Sequence, residues 1–254
     1  MTSDVGDSVS APEPSPAPVE EKKHLPLWQE TILLLAIALC LSVLIKAFFL
    51  QAFYIPSESM EPGLIVNDRI LVQKVSYWGG GTPQRGDVVV FKDPDRWLGS
   101  AQTGPTHPIA KAMAKVGLYP SGGHLVKRVI GVGGDKIVCC DDAGRISVNG
   151  VPLDEGEYLK DIANLQCNGP MTNTCKWTAG PVPQGAIFVM GDNRANSADS
   201  TVHMCRKRET DCTPGAEFVS ADLVVGKVLA LVWPSSRIGW VERADSFDDV
   251  PDAR

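Results

Sequence analysis

The run Leu125-Val126-Lys127-Arg128-Val129-Ile130-Gly131-Val132 decides how this chain folds. It is rich in β-branched residues, which suit a pleated surface, and it fits a strand. The same texture recurs on either side. Arg69-Ile70-Leu71-Val72, Asp87-Val88-Val89-Val90-Phe91, Lys136-Ile137-Val138, Ala186 to Met190 and Leu223 to Val232 are further short runs between turn signals. Ile146-Ser147-Val148 and Val151-Pro152-Leu153 flank Asn149-Gly150, the strongest short hairpin signal. Only residues 108–117 suggest a short amphipathic helix. With no βαβ alternation and no internal repeat, the body is expected to be mostly β, as a sandwich or a partly open barrel.

Lys127 stands among apolar neighbours in the deciding run. Apolar surroundings strip water from an ammonium, so its pKa is expected to fall from about 10.4 towards about 7–8, where a lysine can serve as a neutral base. Arg128 cannot play that part, because a guanidinium does not deprotonate at working pH. Alternation along a strand puts the two on opposite faces, so only one of them is expected to point inward. The bland alternative is a strand lysine on the solvent face. A neutral lysine base is what a serine needs to become a nucleophile, and Ser–Lys is a known alternative to Ser-His-Asp. Ser59, in a Pro-Ser-Glu-Ser-Met turn, is the candidate; its bland reading is a loop serine or helix cap.

Ser59 comes shortly after a long apolar stretch. Thr31 to Ile45 carries no charge, Lys46 interrupts, and Ala47 to Ile55 continues nearly apolar. Trp28 at one end and a snorkelling Lys46 at the other extend the stretch towards the roughly 20 residues that span a bilayer. One transmembrane helix over about 28–48 is expected. A cleavable signal peptide fits less well, because the core follows an acidic-leaning segment and no A-x-A pattern comes promptly after it. A lipoprotein signal would need a small residue before Cys40, where Leu39 stands. Residues 1–27 are expected to form a disordered tail, rich in proline and with almost nothing to bury.

The 254 residues are 44% hydrophobic, enough for a real core, and a net charge of −6 argues against nucleic acid as a partner. Seven cysteines are present, Cys40 in the helix and six in the body. An even number fits a compartment that permits disulfides. Cys167–Cys175 and Cys205–Cys212 are plausible local loops, whereas adjacent Cys139 and Cys140 are not expected to bond to each other. No C-x-x-C pair occurs and His107, His124 and His203 are scattered, so neither a metal nor any other cofactor is expected.

Four stretches resemble the sequence boxes of bacterial type I signal peptidases: Ile55-Pro56-Ser57-Glu58-Ser59-Met60-Glu61-Pro62-Gly63-Leu64, Arg85 to Phe91, Lys127 to Lys136, and Gly191 to Ser200. They fall in family order after a hydrophobic anchor and span roughly residues 30–235. The resemblance implies a membrane-bound serine endopeptidase with Ser59 as nucleophile and Lys127 as base. It implies Ser57 as oxyanion donor beside the Ser59 N–H, and Ser197 as the hydroxyl that orients the lysine. Asp199 and Arg194 would pair to fix the loop to which Asp192 also belongs. Phe53, Ile55, Pro56, Leu125 and Val126 would line shallow pockets for small side chains one and three residues before the cut. Two positions depart from the pattern: Ala195 replaces an acidic residue and Thr201 stands where arginine is frequent.

The resemblance also implies a cytoplasmic amino terminus and a catalytic β body over 49–242 outside the plasma membrane. A small insert at about 141–184 and an acidic tail at 243–254 complete the layout. The expected partners are precursor proteins carrying signal peptides, membrane lipid and the secretion machinery. Two rivals differ in class. A binding scaffold without turnover has no reason to keep Ser59, Lys127, Ser197 and Asp199 together, and a self-cleaving regulator would call for a DNA-binding segment where this chain has an anchor.

Overall fold

The computed structural model describes residues 26–94, 97–98, 107–108, 123–160, 176–205 and 212–253. The expected helix over 108–117 (Pro108 apart), the Cys167–Cys175 pair, the Lys46 side chain and residues 1–25 lie outside them. Helix α1, Leu27–Phe48, is the one described helix long and apolar enough to cross a membrane. Its apolar side chains are exposed along its length. Thr31 hides its hydroxyl by donating to the Leu27 carbonyl at 2.8 Å, the usual way a helix carries a hydroxyl in apolar surroundings.

The body is mostly β. Eight strands form one antiparallel sheet: β1 (Leu50–Tyr54), β2 (Arg69–Gln73), β11 (Val224–Trp233), β3 (Val88–Lys92), β4 (His124–Val132), β9 (Ala186–Met190) and β10 (Val219–Ser220), in that spatial order, with β12 (Gly239–Trp240) beside β11. A smaller sheet runs β7 (Val151–Pro152), β6 (Ser147–Val148), β5 (Ile137–Cys139) and β8 (Trp177–Ala179). Between β6 and β7, Asn149 and Gly150 both take positive φ, 52° and 86°, as a tight primed hairpin turn requires. Strand β1 was hidden in the sequence as the tail of the apolar stretch.

The large sheet curls. Strands β1 and β4 are separated in it by three others, yet the rings of Phe53 on β1 and His124 on β4 lie 5.3 Å apart. Register shifts on β11 and on β4 between Val129 and Gly131 supply local bends. The open-barrel alternative is therefore the one adopted.

Core forms on both faces of the central strands. Val88 and Val90 join Ile55, Met60, Ile70 and Val72 in one cluster, while Val89 and Phe91 join Leu125, Val129 and Val189 in another. A third cluster packs Ile130, Phe188 and Met190 against Ile137 and Val148 of the small sheet and Leu153 just beyond it. The acidic carboxyl end, expected to be a tail, packs into this third cluster through Ala244, Phe247 and Val250. Arg85 and Asn149 hold it further by donating to the Val250 and Pro251 carbonyls.

Two expectations fail here. Lys127 and Arg128 are both buried, 4% and 5% exposed, because β4 has cover on each of its faces and not on one. Cys139 and Cys140 are bonded to each other across a cis peptide that brings their Cα atoms to 3.0 Å. Cys205–Cys212 forms as expected and Cys40 is free.

Candidate active site

Ser59 lies in a single 3-10 turn, Glu58–Met60, entered from an extended Ser57. Met60 anchors that turn in the core, which leaves Ser59 7% exposed with its hydroxyl aimed at β4. There the Lys127 Nζ lies 2.6 Å from Ser59 Oγ. Across the strand pair, Lys127 faces the fully buried Val89, with Leu125 and Val129 on the same side. Burial pulls the Lys127 pKa down to about 8, against the opposing fields of Asp199 and Asp192. A buried lysine in hydrogen-bond reach of a hydroxyl, with a pKa close to neutrality, can take that hydroxyl's proton.

Ser57 is exposed, and its Oγ is 3.3 Å from Ser59 Oγ. A group bonded to Ser59 would therefore have the Ser57 hydroxyl beside it. Ser197 is brought to the site but not onto the lysine. Its hydroxyl has one proton and donates it to Asp199 Oδ2 at 2.6 Å; no hydrogen bond joins it to Lys127 among the described residues.

The expected Asp199–Arg194 pair is absent among the described residues. Asp199 is instead held by neutral donors: the Ser197 hydroxyl and Gly191 N–H on one oxygen, and the Thr201 N–H and hydroxyl, at 3.1 and 2.7 Å, on the other. Thr201, the departure from the family pattern, thus supplies two of the four bonds. Arg194 turns away to Glu155, with contacts of 2.5 and 3.2 Å, and donates to the Gly191 carbonyl. Asp192 receives Arg128 in a two-pronged pair at 2.8 and 2.9 Å. Burial opposes the charge on Arg128, but the Asp192 carboxylate outweighs it and leaves the pKa above its ordinary value. Tyr158 completes this layer: its ring lies under the Arg128 guanidinium at 4.1 Å and its hydroxyl donates to Glu155 at 2.7 Å.

Sequence reading missed Arg128, Glu155, Tyr158 and Asn193 as parts of this arrangement. Nothing near Glu155 marks it, since its partner is 39 residues away. Asn193 was in view inside the last box but reads as turn chemistry. Of the expected pocket residues, Phe53, Ile55 and Val126 share one apolar cluster. Leu125 points to the opposite face of β4, and Pro56 is exposed. No group of three or more His, Cys, Asp or Glu side chains able to hold a metal occurs among the described residues.

The chain is similar to known proteins along most of its length. Residues 28–233 match the family described as "Signal peptidase, peptidase S26". A signal peptidase I of Mycobacterium tuberculosis is 39% identical over 249 residues, covering 93% of this chain and 81% of its own. A probable signal peptidase I of Mycobacterium leprae is also 39% identical, covering 89% and 83%. A signal peptidase I of Leptolyngbya laminosa is 31% identical over 90% of each chain. A solved signal peptidase I from Enterococcus faecalis, 26% identical, covers 57% of this chain and 96% of its own with a TM-score of 0.36, too loose a superposition to add to the fold described above.

Proposed function

Since the chain belongs to the signal peptidase I family of serine endopeptidases, peptidase S26, we propose that it removes signal peptides from exported precursor proteins by a Ser59–Lys127 acyl-enzyme route. The reading rests on one observation above all, the buried 2.6 Å contact between Lys127 Nζ and Ser59 Oγ. Ser59 Oγ attacks the scissile carbonyl carbon while its proton passes to neutral Lys127. The carbonyl oxygen becomes an oxyanion that accepts from the Ser59 N–H and the Ser57 hydroxyl. Collapse breaks the C–N bond, and Lys127 returns the proton to the departing amine. Water then attacks the ester, Lys127 takes a proton from it, and the same proton restores the Ser59 hydroxyl as the signal peptide leaves. Asp199 and Ser197 shape the loop beside the lysine, with Asp192 and Arg194 beneath it.

The precursor adds as an extended strand along β1, whose second edge has no partner among the described residues, opposite β4 across the curl of the sheet. Phe53, Ile55 and Pro56 from the β1 side and Val126 from the β4 side are the proposed walls for small side chains, without Leu125, which faces the other way. An oversized side chain clashes with such walls, whereas a missing methylene costs only about 1–3 kcal/mol, so size selection works mainly against large residues. Helix α1, 22 residues at ~1.5 Å each, reaches about 33 Å and serves as a single membrane anchor, amino end cytoplasmic and body outside the plasma membrane. Exposed Trp233, Ile238 and Trp240 give the body rings and apolar surface suited to a bilayer interface, where precursors leave the secretion machinery.

The test is cleavage of a detergent-solubilised precursor with an Ala-x-Ala site by the full chain, next to Ser59→Ala and Lys127→Ala. Specific cutting after the small residue, lowered on the order of 10⁶-fold in the serine variant, supports the reading. A folded wild type that cuts nothing in the presence of lipid refutes it and favours the scaffold alternative.

A further inference from the structure

The loop Gly191–Asn196 leans on the turn that carries Ser59. A Cβ at Gly191 would sit 2.4 Å from the Ser59 carbonyl oxygen, so only glycine permits this approach. Asn193, 5% exposed, makes two bonds across the gap: its N–H donates to the Ser59 carbonyl and its Nδ2 to the Glu58 carbonyl, both at 3.0 Å. Asn196 Nδ2 adds a third, to the Glu58 carboxylate at 3.0 Å.

The Glu58 carbonyl belongs to the same peptide unit as the Ser59 N–H. That peptide is trans, so its C=O and N–H point in opposite directions within one rigid plane. Fixing the oxygen therefore fixes the direction of the N–H. The carbonyl accepts from Asn193 on the loop side and from the Glu61 N–H within the turn, at 3.1 Å. A donor at the carbonyl draws electron density towards oxygen and strengthens the N–H across the amide as a donor in turn.

We infer that Asn193 is a positioning residue for the oxyanion donor: by gripping the Glu58 carbonyl it aims and strengthens the Ser59 N–H. The inference rests on Ser59 being the nucleophile. Asn193 touches no reacting atom, and its work is done in the transition state, where the substrate carbonyl oxygen gains its negative charge. Losing an oxyanion donor outright costs about 10²–10³ in kcat. Losing the grip alone leaves the donor in place but poorly aimed, for an expected loss of about 10–100-fold.

Asn193→Ala and Asn193→Leu in the full chain test this, the second keeping volume and excluding a substitute water. Each is assayed for precursor cleavage beside Ser59→Ala. Each is also titrated with a peptide boronic acid bearing a small first residue. In that adduct the Ser59 Oγ–B bond forms, the hydroxyl proton goes to Lys127, and boron becomes a tetrahedral anion with an oxygen in the oxyanion position. The expected result is a fall in kcat of about 10–100-fold with KM within about threefold, and an equal loss of boronate affinity. Wild-type kcat in the variants overturns the role of Asn193 while a dead Ser59→Ala leaves the Ser59 reading intact. So does a loss carried wholly by KM, or one that the boronate does not share. An active Ser59→Ala overturns both.

Discussion

Lys127 and Arg128 are neighbours on one strand, equally buried, and they meet opposite fates. Arg128 finds a carboxylate: Asp192 takes both prongs of the guanidinium, Tyr158 lies beneath it, and the charge is held permanently. Lys127 meets a neutral hydroxyl, and the carboxylate whose field acts on it most, Asp199, is occupied by four neutral donors of its own. Burial is common to the two, so it is the partner that decides whether burial holds a charge or expels it. One strand thereby offers a locked ion pair to one face and a titratable amine to the other.

The most forceful way to break this contrast is to make the neighbours alike. Lys127→Arg keeps a cation at the site but removes any route to a neutral base, so precursor cleavage should fall roughly 10⁴–10⁶-fold in a folded protein. Circular dichroism beside the assay separates lost chemistry from lost structure. Next in size is the ion pair. Asp192→Asn strands a buried guanidinium and should cost about 3–5 kcal/mol of stability, read as a lowered melting midpoint in detergent. Arg128→Leu with Asp192→Leu, which removes both charges, should cost less than either single change.

The lysine behaves in the reverse sense. Its folded pKa, about 8, lies below the ordinary 10.5, so folding expels the proton only between those values. Below pH 8 both states bind the proton and the full cost of a buried ammonium persists; from 8 to 10.5 wild-type stability climbs as that cost is relieved. Lys127→Met should therefore stabilise the inactive protein by about 3 kcal/mol at pH 7, with the gain fading above pH 8. A destabilised Lys127→Met at pH 7 would show that the amine is not held against its hydration. Smallest is Thr201→Val, which takes one neutral donor from Asp199 and should cost about 1.5 kcal/mol while leaving cleavage measurable.

Much of this was legible in the chain, and the rest was missed for physical reasons. The β-branched runs and the Asn149-Gly150 turn encode their structure locally, and strands and hairpin form where those signals stand. Ser59 and Lys127 were visible as residue types in telling surroundings. Alternation, however, states which side of a strand a residue faces and not what covers that side. Arg128 was read as the outward partner because Asp192 and Tyr158, which cover it, come from segments further along the chain. The Arg194–Glu155 and Arg128–Asp192 pairs are long-range in the same way, 39 and 64 residues apart. Phe247 and Val250 looked like part of an acidic tail because their acidic neighbours dominate the composition.

The measurement that bears most directly on the central claim is the pH dependence of kcat/KM for cleavage of a precursor peptide without groups that titrate between about pH 6 and 10. Activity that rises with pH through a midpoint near 8 would report Lys127 losing its proton in the free enzyme. A profile flat across that range, or rising only towards the ordinary lysine value of 10.5, would contradict a buried amine poised to take the proton of Ser59.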